Sequence, residues 1–150
     1  MIKLLKASKE DAKTLVNIQL RAFSIDVDIC GEGPPGYDSV ERQIKLMESH
    51  IYYKIVDDDK LIGGFYIHTR QKGHYEIVRL FVDPTHQGKG IGCAALKHIE
   101  GLFADLEVLE LEASDFRKDN HAFYENRGYV KVGEREYSEG SFSCIYQKKF

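Results

Sequence analysis

Two periods of apolar residues run along the chain, and the switches between them mark its elements. Ile2-Lys3-Leu4-Leu5 predicts a short first strand. Ser8, Glu10 and Asp11 have the polar, acidic character of a helix start. Ala12, Leu15, Val16, Ile18, Gln19 and Ala22 then recur along one helical face to about Phe23. Ser24 to Asp38 contains Gly31, Gly33, Pro34, Pro35 and Gly36, which predicts an irregular loop, long enough to carry function. Ser39 to Ser49 reads as a second helix with Val40, Ile44 and Met47 on one side. Ile51 to Val56 and Leu61 to Thr69 read as strands joined at Asp57-Asp58-Asp59, with Gly63-Gly64 marking a bulge. After the turn at Gln71-Lys72-Gly73, a fourth strand to Val82 completes an antiparallel meander.

Beyond Val82 the pattern returns to the helical period, with Ala94, Ala95, Leu96 and Ile99 apolar in a third helix to about Ala104. Val108 to Ala113 reads as a fifth strand. A fourth helix from about Asp119 to Arg127 stops at Gly128, a glycine placed for a left-handed cap. Tyr129 to Tyr137 and Phe142 to Lys148 form a closing hairpin around Glu139-Gly140, a candidate dimer surface. At 150 residues, without repeats or linkers, 1–150 reads as a single domain. A net charge of −3 offers no general attraction to nucleic acid or anionic membranes. No apolar run approaches the roughly 20 residues of a membrane span, and Met1-Ile2-Lys3 opens no signal peptide. Cys30, Cys93 and Cys144 are odd in number and far apart, so no disulfide framework or metal site is expected and the cytoplasm is the default compartment.

The chemistry concentrates between Glu76 and Leu96. A β-branched and aromatic strand (Ile77 to Val82) meets the breaker Asp83-Pro84-Thr85, and Gln87-Gly88-Lys89-Gly90-Ile91-Gly92 leads into the third helix, ahead of Cys93. A helix start presents unpaired N–H groups and a positive dipole end, and glycines admit a ligand close to that backbone, so this segment reads as a phosphate or pyrophosphate seat. A Walker loop fails because Gly90 follows Lys89, and the dinucleotide fingerprint, with Glu112 as its ribose acid, fails at Cys93. The run Gln-x-x-Gly-x-Gly after Val-Asp-Pro resembles the acetyl-coenzyme A loop of the GNAT superfamily of N-acetyltransferases. The element order β-α-α-β-β-β-α-β-α-β-β resembles that superfamily along the whole chain.

The resemblance implies an α/β (α+β type) GNAT acyl-CoA N-acyltransferase fold, with a mixed, mostly antiparallel sheet of about seven strands, four flanking helices, and fourth and fifth strands that splay apart. Acetyl-CoA would enter that wedge, with backbone of Leu80, Phe81 and Val82 free to pair with its pantetheine arm. Gln87, Gly88, Lys89, Gly90, Ile91, Gly92 and Cys93 would line its diphosphate end, Lys89 as a cation and Cys93 as a packing residue. Phe123-Tyr124-Glu125 followed by Gly128-Tyr129 resembles the signature whose tyrosine donates to the coenzyme A sulfur, which would make Tyr124 the acid. Many members carry an asparagine where this chain has Arg117. Arg117 and Asn120 are the candidate pantetheine contacts, with helix capping as the other reading of Asn120, and His121 fits an arginine-containing version of the motif.

Acetyl transfer to an amine whose pKa is about 10.4 needs a base. Glu76, eleven residues before Gln87, and Glu112, twelve before Tyr124, stand at spacings where different GNAT members carry a catalytic glutamate. Strict alternation would put Glu76 with Val78, Leu80 and Val82 on one otherwise apolar face, raising its pKa and favouring it as the base. Asp26, Asp28 and Glu32, with Tyr37 beside them, would form an acidic, aromatic-edged acceptor rim suited to a small cationic amine. A protein or peptide acceptor, and a non-catalytic acyl-CoA-binding domain, are the competing readings.

Overall fold

The computed structural model describes residues 1–150. One seven-stranded sheet runs in the order β1-β2-β3-β4-β5-β7-β6. Its first four members, β1 (Ile2–Lys6), β2 (Ile51–Asp57), β3 (Lys60–Gln71) and β4 (His74–Val82), pair antiparallel. β5 (Val108–Ser114) lies parallel to β4, and the hairpin of β6 (Val130–Ser138) and β7 (Ser141–Lys149) docks β7 on the far side of β5. The helices are α1 (Ala12–Ala22), α2 (Ser24–Cys30), α3 (Val40–Ser49), α4 (Ile91–Glu100) and α5 (Lys118–Glu125). No helix is long and apolar enough to cross a membrane.

Alternation along the strands separates two cores. Phe65, Ile67, Ile77, Leu109 and Leu111 meet Ile91, Ala95, Leu96 and Ile99 of α4, with Phe123 and Tyr124 of α5 packed at the edge. On the other face Tyr52, Tyr66 and Phe81 meet Leu15 and Ile18 of α1 and Leu46 of α3. The expected α1 stripe is buried from Ala12 to Gln19. In α3 the burial falls on Gln43 and Leu46 while Val40 is exposed, because Gln43 bridges Tyr52 Oη and the Gly36 carbonyl.

Three further expectations are corrected. There are five helices, not four: the glycines and prolines of the predicted loop all follow Cys30, so Ser24–Cys30 winds into α2 before Gly31 ends it at φ +82°. α4 stops at Glu100 instead of reaching Ala104, because the chain turns at Gly101 and stacks Phe103 on Tyr75 with ring centroids 3.9 Å apart. The bulge near Gly63 falls at Ile62, the extra residue between the Ile55–Gly63 and Val56–Leu61 pairs.

A second bulge shapes the site. Tyr66 pairs with Arg79 and Ile67 with Ile77, which leaves Val78 as the extra residue in β4. An inserted residue resets the alternation. Glu76 therefore shares a face with Arg79 and Phe81, while Leu80 and Val82 join the face of Ile77; the expected grouping of Glu76 with Leu80 and Val82 fails for this reason. The parallel ladder to β5 ends at Ile77–Leu111, so the strands part immediately beyond it.

Candidate active site

The turn after β4 is fixed by Asp83, whose carboxylate accepts from Arg21 at 2.6 Å, from the Thr85 amide at 3.1 Å and from the Thr85 hydroxyl at 2.9 Å. Burial alone would raise this carboxyl, but those partners outweigh it and hold its pKa down to about 2. The Asp83 amide donates to the Ile62 carbonyl at 2.7 Å. Alternation then directs the N–H groups of Val82 and Leu80 away from β3, into the wedge. Phe81 faces β3 with its backbone and contributes its position, not free backbone groups, which narrows the expected Leu80 to Val82 set. The Gln87 side chain occupies the Val82 carbonyl at 3.2 Å.

Gly88 and Gly90 adopt φ +80° and +76°, and a Cβ built on either would project into open space. The consecutive amides from Gly88 to Cys93 have no acceptor within the protein. This array at the start of α4, together with the helix dipole, forms a cradle whose donors could hold a diphosphate. A cavity of about 480 Å³ opens there, lined by Gln87, Gly88, Gly90, Ile91, Gly92 and Cys93 on one side and by Arg117, Asn120 and Tyr124 on the other. Lys89 is exposed and stands off this lining; the cavity's arginines are Arg117 and Arg127, the latter packed on the Phe123 ring at 3.8 Å.

A second cavity of about 510 Å³ fills the wedge between β4 and β5 under the segment after α2. Leu80, Arg117, Asn120, Tyr124 and Phe23 belong to both cavities, so the two meet at α5. Tyr124 is held there by Phe123, Tyr129 and Tyr146, with centroids 5.2, 5.9 and 6.4 Å away, and its hydroxyl makes no hydrogen bond to protein. Burial pushes that hydroxyl up to about 12, with Arg117 opposing, so it is protonated at neutral pH. His121, by contrast, is fixed by the Ser114 carbonyl at 2.8 Å and the Tyr146 hydroxyl at 3.0 Å.

The Acetyltransferase (GNAT) family model matches residues 12–129. The chain belongs to this family. GNAT enzymes take their acetyl group from acetyl-CoA, and the cradle, the free wedge backbone and the joined cavities of this chain fit that cosubstrate. PaiA N-acetyltransferase from Thermoplasma acidophilum, solved with coenzyme A, is similar with a TM-score of 0.81 at 20% identity, covering 100% of this chain and 99% of that one. The S-(2-succino)cysteine N-acetyltransferase of Bacillus subtilis (strain 168) is 24% identical over 95% of this chain and 92% of its own length. Uncharacterized protein YrkN of the same organism is 29% identical over 65% of this chain, which spans only 54% of that protein.

Within this GNAT fold the two glutamates stand apart. Glu76 is tied to Arg70 at 3.0 Å and is absent from the wedge lining, so it is not the isolated acid on an apolar face that alternation suggested. Glu112 lines the wedge and accepts from Arg135 at 2.7 and 2.9 Å and from Ser143 at 3.1 Å. Burial would raise its carboxyl, but Arg135 and Ser143 hold it below the ordinary glutamate value. Of the expected acceptor rim, Asp26 and Glu32 line the wedge, whereas Asp28 is exposed outside it and Tyr37 packs on Phe23 with centroids 6.3 Å apart. The rim is not simply acidic: Arg79, Arg117 and Arg135 line it together with Asp26, Glu32 and Glu112. Sequence reasoning missed Arg79 and Arg135. The signal for Arg79 was a lone cation in the apolar run of β4; Arg135 meets Glu112 only through the β5-β7-β6 register and left no local mark.

Proposed function

We propose that this chain transfers the acetyl group of acetyl-CoA to a primary amine of a small molecule, by direct attack with both substrates bound. The observation that carries this reading is the meeting of the two cavities at Tyr124 and Leu80. The cradle side takes the diphosphate and the wedge takes the acceptor, so the reacting groups converge there. A small-molecule acceptor is also supported by the curated relative named for acetylating S-(2-succino)cysteine, which is matched over nearly its whole length.

Acetyl-CoA supplies an activated thioester. The N–H groups of Val82 and Leu80, directed into the wedge, are placed to polarise its carbonyl. Tyr124, a neutral hydroxyl beside that point, donates a hydrogen bond to the departing sulfur. With its pKa at about 12, against about 8.5 for an ordinary thiol, full proton transfer is uphill, so its role is to stabilise the thiolate by donation. Glu112, not Glu76, is the acid in the wedge; ionised at neutral pH, it accepts the amine's proton through water. No cysteine stands beside a histidine to favour a covalent route.

Thiol release from acetyl-CoA with a panel of amines tests this reading. Amine-dependent release with the acetylated amine as product is the expected result. Tight coenzyme A binding with no amine acetylated, even at alkaline pH where amines deprotonate unaided, would leave only a binding domain.

A further inference from the structure

Three arginines line the wedge, and two are neutralised there. Arg117 meets Asp26 at 3.0 Å, and Arg135 meets Glu112 at 2.7 Å. Arg79 forms no ion pair. Its Nη1 donates to the Pro35 carbonyl at 3.1 Å, and its guanidinium lies 5.4 Å from the Tyr66 ring centroid and 5.9 Å from that of Phe23. A guanidinium carries five N–H donors and stays charged in proteins, and only one of these donors meets a protein acceptor. Burial holds its pKa below the usual arginine value, with Tyr66, Tyr52 and the more distant Asp26 opposing, and no carboxylate lies within ion-pair distance of it. Such a group is costly unless paired, and in a cavity wall the partner comes from what the cavity holds.

Resting on the acetyl-transfer reading above, we propose that the acceptor amine carries a carboxylate that docks on Arg79, so that the substrates are amino-acid-like zwitterions and not polyamines. Arg79 on β4 and Glu112 on β5 lie just past the last paired residues, Ile77 and Leu111, on the same sheet face and on opposite walls of the wedge. A zwitterion bridging that gap sets its carboxylate on one wall and its ammonium toward the other. The guanidinium edge matches a planar carboxylate in a two-bond fork. Glu32, the unpaired acid of the lining, is exposed at the mouth and leaves Arg79 without a partner inside.

The test compares the proteinogenic amino acids with their carboxamides, with 1-aminoethylphosphonate as the analogue of alanine and spermidine as a polyamine, by thiol release at pH 8. The carboxamides have the less basic amines, so basicity works against the expected order. In the wild type the best amino acid should exceed its amide in kcat/KM by about ten- to a hundredfold. Arg79→Gln should erase that ratio and Arg79→Lys should keep part of it, with coenzyme A affinity reporting that each variant is folded. Amide and acid used equally, a ratio that survives Arg79→Gln, or preference for spermidine or the phosphonate would overturn the carboxylate while sparing acetyl transfer. Acetylation of none of these amines would overturn both.

Discussion

Gly90 allows backbone strain and ligand exclusion to be separated, because the chain carries its own control. Gly90 and Gly140 share φ +76°, and a Cβ built on either meets nothing within 4 Å. Gly90 caps α4 inside the cradle, whereas Gly140 turns the β6-β7 hairpin and lines neither cavity. A side chain in the left-handed region costs roughly 1–2 kcal/mol. Gly90→Ala and Gly140→Ala should therefore both lower Tm, by about 2–8 °C in a chain of this size. Only Gly90→Ala puts a methyl group where the diphosphate meets the Gly88 to Cys93 amides. Loss of even one charge-assisted hydrogen bond there weakens coenzyme A by roughly ten- to a hundredfold. Calorimetric titration of coenzyme A reads affinity, and circular dichroism melts read strain. Wild-type affinity in Gly90→Ala, or equal weakening in both variants, would refute the assignment of this cradle.

Tyr124→Phe keeps the ring among its aromatic neighbours and removes only the hydroxyl; kcat should fall about ten- to a hundredfold with little change in coenzyme A affinity, and a wild-type kcat removes the proposed donor. Glu112→Gln should lower acceptor kcat/KM by about a hundredfold while Glu76→Gln stays within about threefold; steady-state rates at pH 7–9 showing the reverse order would move the base to Glu76. Asp83 predicts an acid-dependent stability. Its folded pKa of about 2 lies below the ordinary 3.8, so its contacts with Arg21 and Thr85 together contribute at most about 2 kcal/mol above pH 4, less for screening at the half-exposed Arg21, lost as pH falls toward 2. Urea midpoints of Asp83→Asn should be lower at pH 6 and vary less between pH 5 and 2; an unchanged pH dependence refutes the account.

What could be read without coordinates was what local pattern encodes. The meander, the strand-turn-helix around Gln87 to Gly92 and the buried stripe of α1 follow from period, breakers and caps within short windows. The α2 helix escaped because glycines and prolines from Gly31 onward were allowed to speak for Ser24 to Cys30, which contain none. Glu76 was misplaced for a subtler reason. A bulge is invisible in one strand's sequence, since Val78 is an ordinary strand residue and its extra status exists only against Tyr66 and Ile67 of β3. The Arg135–Glu112 pair is equally nonlocal, as β7 must enter between β5 and β6 before those residues share a wall.

The bulge at Val78 also explains why cradle and wedge belong to one site. In an unbroken β4, alternation would carry Arg79 to the face of Ile77, against the core that α4 packs, where an unpaired guanidinium has no water and no counter-ion. The insertion turns Arg79 to the opposite face, beside Tyr66, and sends Leu80 and Val82 toward α4 and α5. It sits one residue past the last β4-β5 pair, where the ladder ends and backbone groups on the β5 side become free. One inserted residue thus aims a cation into the wedge and coincides with the opening that frees the amides proposed to meet the thioester. Deleting Val78 leaves Arg79 opposite Tyr66 and Ile77 opposite Ile67, so it keeps the cation on its face and removes only the distortion beside the end of the β4-β5 ladder. If that distortion keeps the wedge open, acceptor kcat/KM should fall while coenzyme A, proposed to sit mainly at Gly88 to Cys93, still binds. Loss of coenzyme A binding in a variant that folds would show that cradle and wedge are not separable as argued.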